Sequence, residues 1–120
     1  MCNILIVEDV DLIAKDLQEN IKARGHDSVW IAESVKEAES IAVNNKINLS
    51  FVDLYLNGKL EGLKLAKMLH NEYNSNIVFV TAYPKEDINM DFNYKYINKP
   101  YSDKAIEEVL TENEVIGETA

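Results

Sequence analysis

Apolar positions along the chain follow two alternating patterns. Short continuous apolar runs, such as Ile4 to Val7, alternate with longer stretches in which apolar residues recur every three or four positions. Continuous runs rich in β-branched residues predict strands buried on both faces of a parallel sheet, and the second pattern predicts amphipathic helices. The first helix is predicted over 11–24, and Gly25 ends it because glycine readily follows a helix C-terminus.

The remaining elements repeat this order. The other predicted strands are Ser28 to Ala32, Leu49 to Asp53, Ile77 to Val80 and Tyr94 to Asn98. The other predicted helices begin at a capping box of Ser34 and Glu37, span 62–73, and begin after a cap at Ser102. Asn57-Gly58 predicts a turn, and residues 84–92 form at best a short, poor helix.

Five strand–helix units in this order predict an α/β fold, namely a doubly wound parallel sheet with helices on both faces. The fourth helix is expected to be short or irregular. If the strand order is 2-1-3-4-5, the first, third, fourth and fifth strands lie side by side. A chain of 120 residues suits a single domain of this kind.

The charge balance limits the classes of partner. The chain has 12 Lys+Arg against 21 Asp+Glu, a formal net charge of −9, which repels nucleic-acid backbones and anionic lipids. We therefore expect no direct nucleic-acid or membrane binding. No stretch approaches the ~18 apolar residues that a membrane span needs, and no signal peptide is recognised. With a single cysteine, Cys2, no internal disulfide can form, which favours a soluble protein in the reducing cytoplasm.

Chemically reactive side chains follow four of the predicted strands. Glu8 and Asp9 come after the first strand, Asp53 ends the third, Thr81 follows the fourth and Lys99 the fifth. Ligands of open α/β sheets bind at the carboxyl ends of strands, so these groups converge. Gathered carboxylates repel one another, and a hard cation such as Mg²⁺ is their natural partner. Lys99 and Thr81 suit phosphate oxygens, and an aspartate can form an acyl phosphate.

These residues stand in a specific arrangement along nearly the whole chain. The sequences that carry it are Ile-Leu-Ile-Val-Glu-Asp (4–9), Phe-Val-Asp-Leu (51–54), Val-Thr-Ala (80–82) and Tyr-Ile-Asn-Lys-Pro-Tyr (96–101). Together they resemble the receiver domain of bacterial two-component response regulators, and 79–83 is similar to a Phe-Ala-Thr-Gly-Tyr-like subfamily. The resemblance implies a flavodoxin-like receiver domain over 1–112, followed by an acidic C-terminal tail over 113–120.

The resemblance implies a role for each residue of the predicted site. Asp53 is the expected phosphoacceptor, Asp9 a direct Mg²⁺ ligand, and Glu8 a ligand acting through water. The backbone carbonyl of Tyr55 is expected to be a further metal ligand. Thr81 and Lys99 are the expected contacts of the phosphoryl oxygens.

The resemblance also implies a switch. Lys99-Pro100 corresponds to a cis peptide bond of the family, and Tyr96 to an aromatic residue that turns inward when the threonine moves toward the phosphoryl group. Tyr83 is a second aromatic residue that could take this role, so both remain candidates. The chain departs from the family by an insertion in the loop 54–61 and by a shortened segment between Thr81 and Tyr96.

The implied function is a phosphorelay switch rather than an enzyme acting on other substrates. A sensor histidine kinase or a histidine phosphotransfer protein would donate the phosphoryl group, and a downstream protein target would read the result. We expect the chain to be a monomer or a weak homodimer. His26 and His70 follow no strand and are interpreted as ordinary surface or helix-end residues.

Three other functions fit parts of the pattern. An FMN-binding protein of this fold would need a phosphate-binding loop after the first strand, where Glu8-Asp9 stands. An aspartyl-phosphate phosphatase would need a second carboxylate two residues after its nucleophile, where Tyr55 stands. A degenerate receiver that works only through protein contacts is the main alternative, although it would be expected to lose Asp53 or Lys99.

Overall fold

A computed structural model describes the backbone of residues 3–119 and the side chains of residues 3–111. The strands are β1 (Ile4–Val7), β2 (Val29–Ala32), β3 (Leu49–Val52), β4 (Tyr55–Leu56), β5 (Lys59–Leu60), β6 (Asn76–Thr81) and β7 (Lys95–Asn98). The helices are α1 (Asp11–Ala23), α2 (Val35–Asn44), α3 (Gly62–Tyr73) and α4 (Asp103–Thr119). A single 3₁₀ turn, Lys85–Asp87, lies between β6 and β7.

The main sheet has five parallel strands in the order β2-β1-β3-β6-β7. The strands β4 and β5 form a separate two-stranded hairpin, so β6 and β7 are the fourth and fifth strands of the main sheet. The order is therefore the predicted 2-1-3-4-5. Val7 of β1 is level with Val52 of β3, so the residues that follow both strands leave the sheet at the same edge. Thr81 of β6 is level with Asn98 of β7, which brings Lys99 to that edge as well.

Helices cover both faces of the sheet, so its strands alternate between two buried cores. One core contains Leu5 and Val7 and is covered by α2 and α3. The other contains Ile4 and Ile6 and is covered by α1 and α4. The continuous apolar run of β1 is therefore buried throughout, as expected for a central parallel strand.

Helix ends follow the local signals of the sequence. The N–H of Glu37 donates to Ser34 Oγ over 3.2 Å, which is the predicted N-cap of α2. The Glu37 carboxylate accepts from the N–H of Glu33 at 3.5 Å, so the capping box closes one residue earlier than predicted. Gly25 follows α1 with φ +94, a backbone conformation that glycine adopts without strain.

The loop 54–61 forms the hairpin β4–β5, which the sequence predicts only as a turn within an insertion. Asn57 and Gly58 occupy the two central positions with φ 54 and φ 77. Two left-handed residues are what a two-residue hairpin turn requires, and Asn-Gly is the commonest pair that supplies them. The sequence predicts a short or irregular fourth helix over 84–92, and this segment contains only the 3₁₀ turn, which confirms the prediction. The helix labelled α4 is therefore the last of the predicted helices, after Ser102.

Two further predictions can be compared with the described residues. His26 is 3% exposed, so its interpretation as a surface residue is wrong; the turn at Gly25 carries the chain back toward the sheet. His70 stacks on Phe92 in the last turn of α3, as expected for a helix-end residue. The α4 backbone is helical to Thr119, and the domain boundary at residue 112 stays a prediction.

Within the described part of the chain, no helix combines the length and the apolar character needed to cross a membrane.

Candidate functional site

Three carboxylates meet at the carboxyl edge of the sheet. Glu8, Asp9 and Asp53 each offer an oxygen that lies within 4.8 Å of those of the other two. The strand register produces this meeting, since the N–H of Asp53 donates to the carbonyl of Val7 at 3.0 Å. Glu8 and Asp53 are buried and Asp9 is partly buried. The prediction that these side chains converge is confirmed.

Lys99 connects two of these carboxylates. Its Nζ donates to Asp53 Oδ2 at 2.7 Å and also to Glu8 Oε1 in a short ion pair. The backbone places the side chain, because the N–H of Lys99 donates to the carbonyl of Thr81 at 3.0 Å. The peptide bond between Lys99 and Pro100 is cis, as the resemblance implies. Lys99 therefore pairs with two of the three clustered carboxylates.

Burial and pairing act in opposite directions on the charges of this cluster. Burial raises the pKa of the Glu8 carboxyl, and this outweighs the hydrogen bonds that Glu8 accepts from Lys99 and from the N–H of Val10. Burial alone would lower the pKa of Lys99, but its hydrogen bonds to Asp53 and Glu8 raise it overall. The ammonium is therefore held in its charged form, and three ionised carboxylates would still exceed its single charge.

The donor set suits a hard divalent cation. Carboxylate and carbonyl oxygens are the ligands that Mg²⁺ takes in proteins, alongside water and phosphate oxygens. The cluster presents three carboxylates, of which Lys99 pairs with two, so a further positive charge would compensate the excess. Tyr55 follows Asp53 closely, and its N–H donates to Asp53 Oδ1 at 3.3 Å. Its carbonyl belongs to β4, and its role as a metal ligand stays a prediction.

The hairpin β4–β5 contacts the cluster directly. The N–H of Asn57 donates to Asp9 Oδ2 at 2.8 Å, and the Asn57 side chain reaches the carbonyl of Glu33 at 3.4 Å. The Tyr55 ring is 47% exposed and lies 5.7 Å from the ring of Tyr83, measured between centroids. The hairpin thus connects the site to the loops that follow β2 and β6.

Thr81 is fully buried, and its hydroxyl is connected to Tyr96 through the main chain of Tyr83. The N–H of Tyr83 donates to Thr81 Oγ1 at 3.1 Å. The carbonyl of the same residue accepts from the Tyr96 hydroxyl at 2.7 Å. The Nζ of Lys85 lies 5.9 Å from the centre of the Tyr96 ring. Both candidate switch residues, Tyr83 and Tyr96, therefore belong to one chain of contacts that begins at Thr81.

Gly62 allows α3 to begin against the backbone that carries Asp53. A Cβ at this position would overlap the carbonyl oxygen of Asp53 and the Cα of Leu54. The N–H of Gly62 donates to the carbonyl of Leu54 at 2.9 Å, which fixes this close approach. The absence of a side chain at Gly62 therefore helps to set the position of Asp53.

Sequence reasoning missed the contacts made by Asn57 and the packing role of Gly62. Asn57-Gly58 between Tyr55-Leu56 and Lys59-Leu60 is the signal that could have revealed the hairpin, because an Asn-Gly pair between two short extended segments is typical of a two-residue turn. The close packing of Gly62 has no comparable signal, because glycine is also favoured near helix N-termini where nothing packs closely against it.

Comparison with known proteins agrees with this geometry. A family model described as "Response regulator receiver domain" matches residues 4–111. The phyllosphere-induced regulator PhyR of Methylorubrum extorquens is 35% identical over 83 residues, which make up 68% of this chain and 31% of that protein. The chain spans less than half the length of the curated relatives that it matches.

Solved structures show the same fold. The PhyR receiver domain of Erythrobacter litoralis superposes with a TM-score of 0.83 at 22% identity, over 95% of this chain and 90% of that one. A CheY-like receiver domain from Methylobacillus flagellatus superposes with a TM-score of 0.78 at 26% identity, over 92% of this chain and 96% of that one. The sheet order, the acidic edge and the family match agree, and this chain belongs to the response regulator receiver domains of two-component systems.

Proposed function

We propose that this receiver accepts a phosphoryl group on Asp53, with Mg²⁺ bound at the acidic cluster, and so switches its contacts with other proteins. The observation that carries the proposal is Lys99, whose Nζ contacts both Asp53 and Glu8 at the strand edge. An ammonium between two carboxylates, beside the third carboxylate of Asp9, forms the surroundings that a transferred phosphoryl group needs.

Asp53 would act as the nucleophile toward a phosphohistidine on a sensor kinase or a histidine phosphotransfer protein. A carboxylate oxygen of Asp53 forms a bond to phosphorus while the phosphorus–nitrogen bond to the donor breaks, and the imidazole keeps the electron pair. Asp53 is 8% exposed, and hydrogen bonds from Lys99 and from the N–H of Tyr55 hold its carboxylate in place. Glu8, Asp9, Asp53 and the Tyr55 carbonyl would hold Mg²⁺, which when bound neutralises charge on the phosphoryl oxygens.

The phosphoryl group would then change the contacts of Thr81. Its hydroxyl accepts from the N–H of Tyr83, and the carbonyl of Tyr83 accepts from the Tyr96 hydroxyl. If Thr81 turns toward a phosphoryl oxygen, the N–H of Tyr83 loses its acceptor. The main chain of Tyr83 can then move, and the hydrogen bond between its carbonyl and the Tyr96 hydroxyl changes as well. Thr81, Tyr96 and Pro100 are therefore the proposed switch residues, and a downstream protein target would read the surface around them.

The chain is proposed to act as a phosphorelay switch that catalyses its own phosphorylation and slowly loses the group to water. We place the receiver domain within residues 1–112 and the acidic segment 113–120 outside it. A cytoplasmic location and a monomeric or weakly dimeric state complete the proposal. Its main rival is a degenerate receiver that binds partners without phosphate.

Incubation with Mg²⁺ and acetyl phosphate tests the proposal. We expect the intact mass to rise by one phosphoryl group, because Asp53 and Lys99 are already in contact at 2.7 Å. The gain should disappear when Mg²⁺ is removed by a chelator.

The matched control is Asp53→Asn, which keeps the size of the side chain and removes the nucleophilic carboxylate. An equal mass gain in this variant would place the phosphoryl group elsewhere and contradict the assignment of Asp53. No gain in the unaltered protein, from acetyl phosphate or from a phosphohistidine protein, would favour the degenerate receiver.

A further inference from the structure

The hairpin β4–β5 contacts two of the three clustered carboxylates. The N–H of Asn57 donates to Asp9 at 2.8 Å, and the N–H of Tyr55 donates to Asp53 at 3.3 Å. The Asn57 contact is the shorter one, and its length is typical of a hydrogen bond to an ionised carboxylate. A hairpin residue that is 48 positions away in sequence thus fixes one oxygen of a predicted metal ligand.

The turn geometry explains why Asn57 makes this contact. Asn57 and Gly58 have φ 54 and φ 77, and these two positive values allow the chain to reverse direction within two residues. Asparagine tolerates this left-handed region better than most other residues that carry a side chain. The Asn57 side chain also reaches the carbonyl of Glu33 at 3.4 Å, so the turn contacts the loop before α2 as well as Asp9.

The contact leaves the ligating capacity of Asp9 intact. The hairpin N–H engages Oδ2, and a carboxylate has a second oxygen available for a metal ion. Carboxylates that bind metals are commonly oriented by such hydrogen bonds from neighbouring groups, and loss of one typically weakens metal binding by about 10–100-fold. Fixing the carboxylate before the ion arrives removes part of the entropy cost of binding.

We propose that Asn57 is a positioning residue of the Mg²⁺ site, and that its main-chain N–H holds the Asp9 carboxylate in the orientation that binds the ion. The inference rests on the proposed function, because it requires a metal at Glu8, Asp9 and Asp53. It assigns the inserted hairpin a role in metal affinity, separate from the acceptor chemistry of Asp53.

The test compares two substitutions at the same position. Mg²⁺ is titrated into each unphosphorylated protein, and calorimetry measures the affinity. Asn57→Pro removes the N–H and cannot adopt a positive φ, so the contact with Asp9 is lost. Asn57→Gly keeps the N–H and favours a positive φ, so it removes only the side chain that reaches Glu33. We expect Mg²⁺ to bind about tenfold or more weakly to Asn57→Pro and within about threefold of the unaltered protein to Asn57→Gly.

Each outcome decides the proposal. Equal affinities in all three proteins, or tighter binding to Asn57→Pro, would show that the hairpin does not orient Asp9 for the ion. An equally large loss in both variants would assign the effect to the Asn57 side chain and overturn the role of the N–H. If the unaltered protein binds no Mg²⁺, the proposed function fails together with the inference. If the unaltered protein binds Mg²⁺ and only the affinities of the variants differ from those expected, the proposed function still stands.

A second measurement does not depend on the folding of Asn57→Pro. In Asp9→Ala, which removes the acceptor, amide hydrogen exchange at Asn57 should become faster. Exchange at Lys59, which pairs with Leu56 within the hairpin, should stay the same. Unchanged exchange at Asn57 would show that its N–H is not held by Asp9, and that would also overturn the proposal.

Discussion

Lys99 donates to Glu8 and Asp53, which follow two different strands, and it thereby compensates two buried carboxylates at once. Loss of this ammonium would leave buried charges unpaired, which usually costs several kcal/mol. The raised pKa of Glu8, caused mainly by burial, shows how costly its ionised form is in this environment. At the scale of single residues, the ionised carboxylates of the cluster therefore depend on positive charge, which the Lys99 ammonium supplies to two of them.

A second side-chain contact nearby predicts how stability changes with pH. The Tyr101 hydroxyl donates to Asp16 at 3.0 Å and connects the segment before α4 to α1. Burial, followed by the contact with Asp16, raises the pKa of Tyr101 above its ordinary value of 10.0. The folded state therefore favours the neutral phenol, so this contribution to stability is complete below pH 10.0 and is lost as the pH rises above it.

Tyr101→Phe should therefore flatten the alkaline part of the stability curve. Near pH 7 we expect the variant to lose about 0.5–1 kcal/mol, because one partly exposed hydrogen bond is removed. Above pH 10 the difference between the two proteins should shrink, since only the unaltered chain carries this perturbed phenol. Urea unfolding at several pH values measures the difference in the free energy of unfolding between the two proteins. A constant difference through pH 11 would contradict the prediction.

At the scale of elements, the parts predicted well are those set by local pattern. Ile4 to Val7 is fully apolar and forms a strand buried on both faces, and residues 62–73 form a helix with the predicted bounds. The convergence of Asp9 and Asp53 was also predictable, because parallel strands deliver their carboxyl ends to one edge.

Other features depend on contacts between distant segments. The bond from Asn57 to Asp9 requires the hairpin and the end of β1 to meet, which no local pattern encodes. The burial of His26 depends on how the chain turns after Gly25. The joint contact of Tyr83 with Thr81 and Tyr96 likewise appears only when β6 and β7 are paired.

Gly62→Ala tests how tightly α3 packs on the strand edge. Alanine is favoured over glycine in a helix by about 1 kcal/mol, so propensity alone would stabilise the variant. Its Cβ, however, would overlap backbone atoms of Asp53 and Leu54, which cannot move as a flexible side chain would. Overpacking typically costs about 1–3 kcal/mol, so we expect a net loss of stability in chemical unfolding.

Gly25→Ala is the comparison for this prediction. Nothing lies within 4 Å of a Cβ at Gly25, and its cost comes from φ +94 instead of from overlap. Only Gly62→Ala should also reduce phosphorylation by acetyl phosphate, because it displaces the backbone of Asp53. A Gly62→Ala protein that is more stable than the unaltered chain would show that the close approach relaxes freely.

At the scale of the whole molecule, the candidate site exists only when the sheet is assembled. Its residues come from positions 8 to 99, and unfolding would separate them. A ligand that binds only the folded state raises the free energy of unfolding in proportion to the logarithm of its concentration. Mg²⁺ is therefore expected to stabilise the whole molecule.

We expect Mg²⁺ at ten times its dissociation constant to raise the free energy of unfolding by about 1.4 kcal/mol. Thermal unfolding at increasing Mg²⁺ concentration and constant ionic strength measures this effect. Asp9→Ala should lose most of it, because one of the three clustered carboxylates is gone. An equal stabilisation of both proteins would indicate a general salt effect instead of a specific site.

The irregular segment between β6 and β7 has one further consequence. It holds a single 3₁₀ turn, Lys85–Asp87, whose three residues are exposed. Exposed loops of this kind are the usual places for proteolytic nicking. A cut there would leave Asp53 and Lys99 on separate fragments, so the ion pair between them would form only after the two pieces reassociate. The proposed chemistry of this receiver would thus depend on an intact backbone at a surface loop that carries none of the clustered groups.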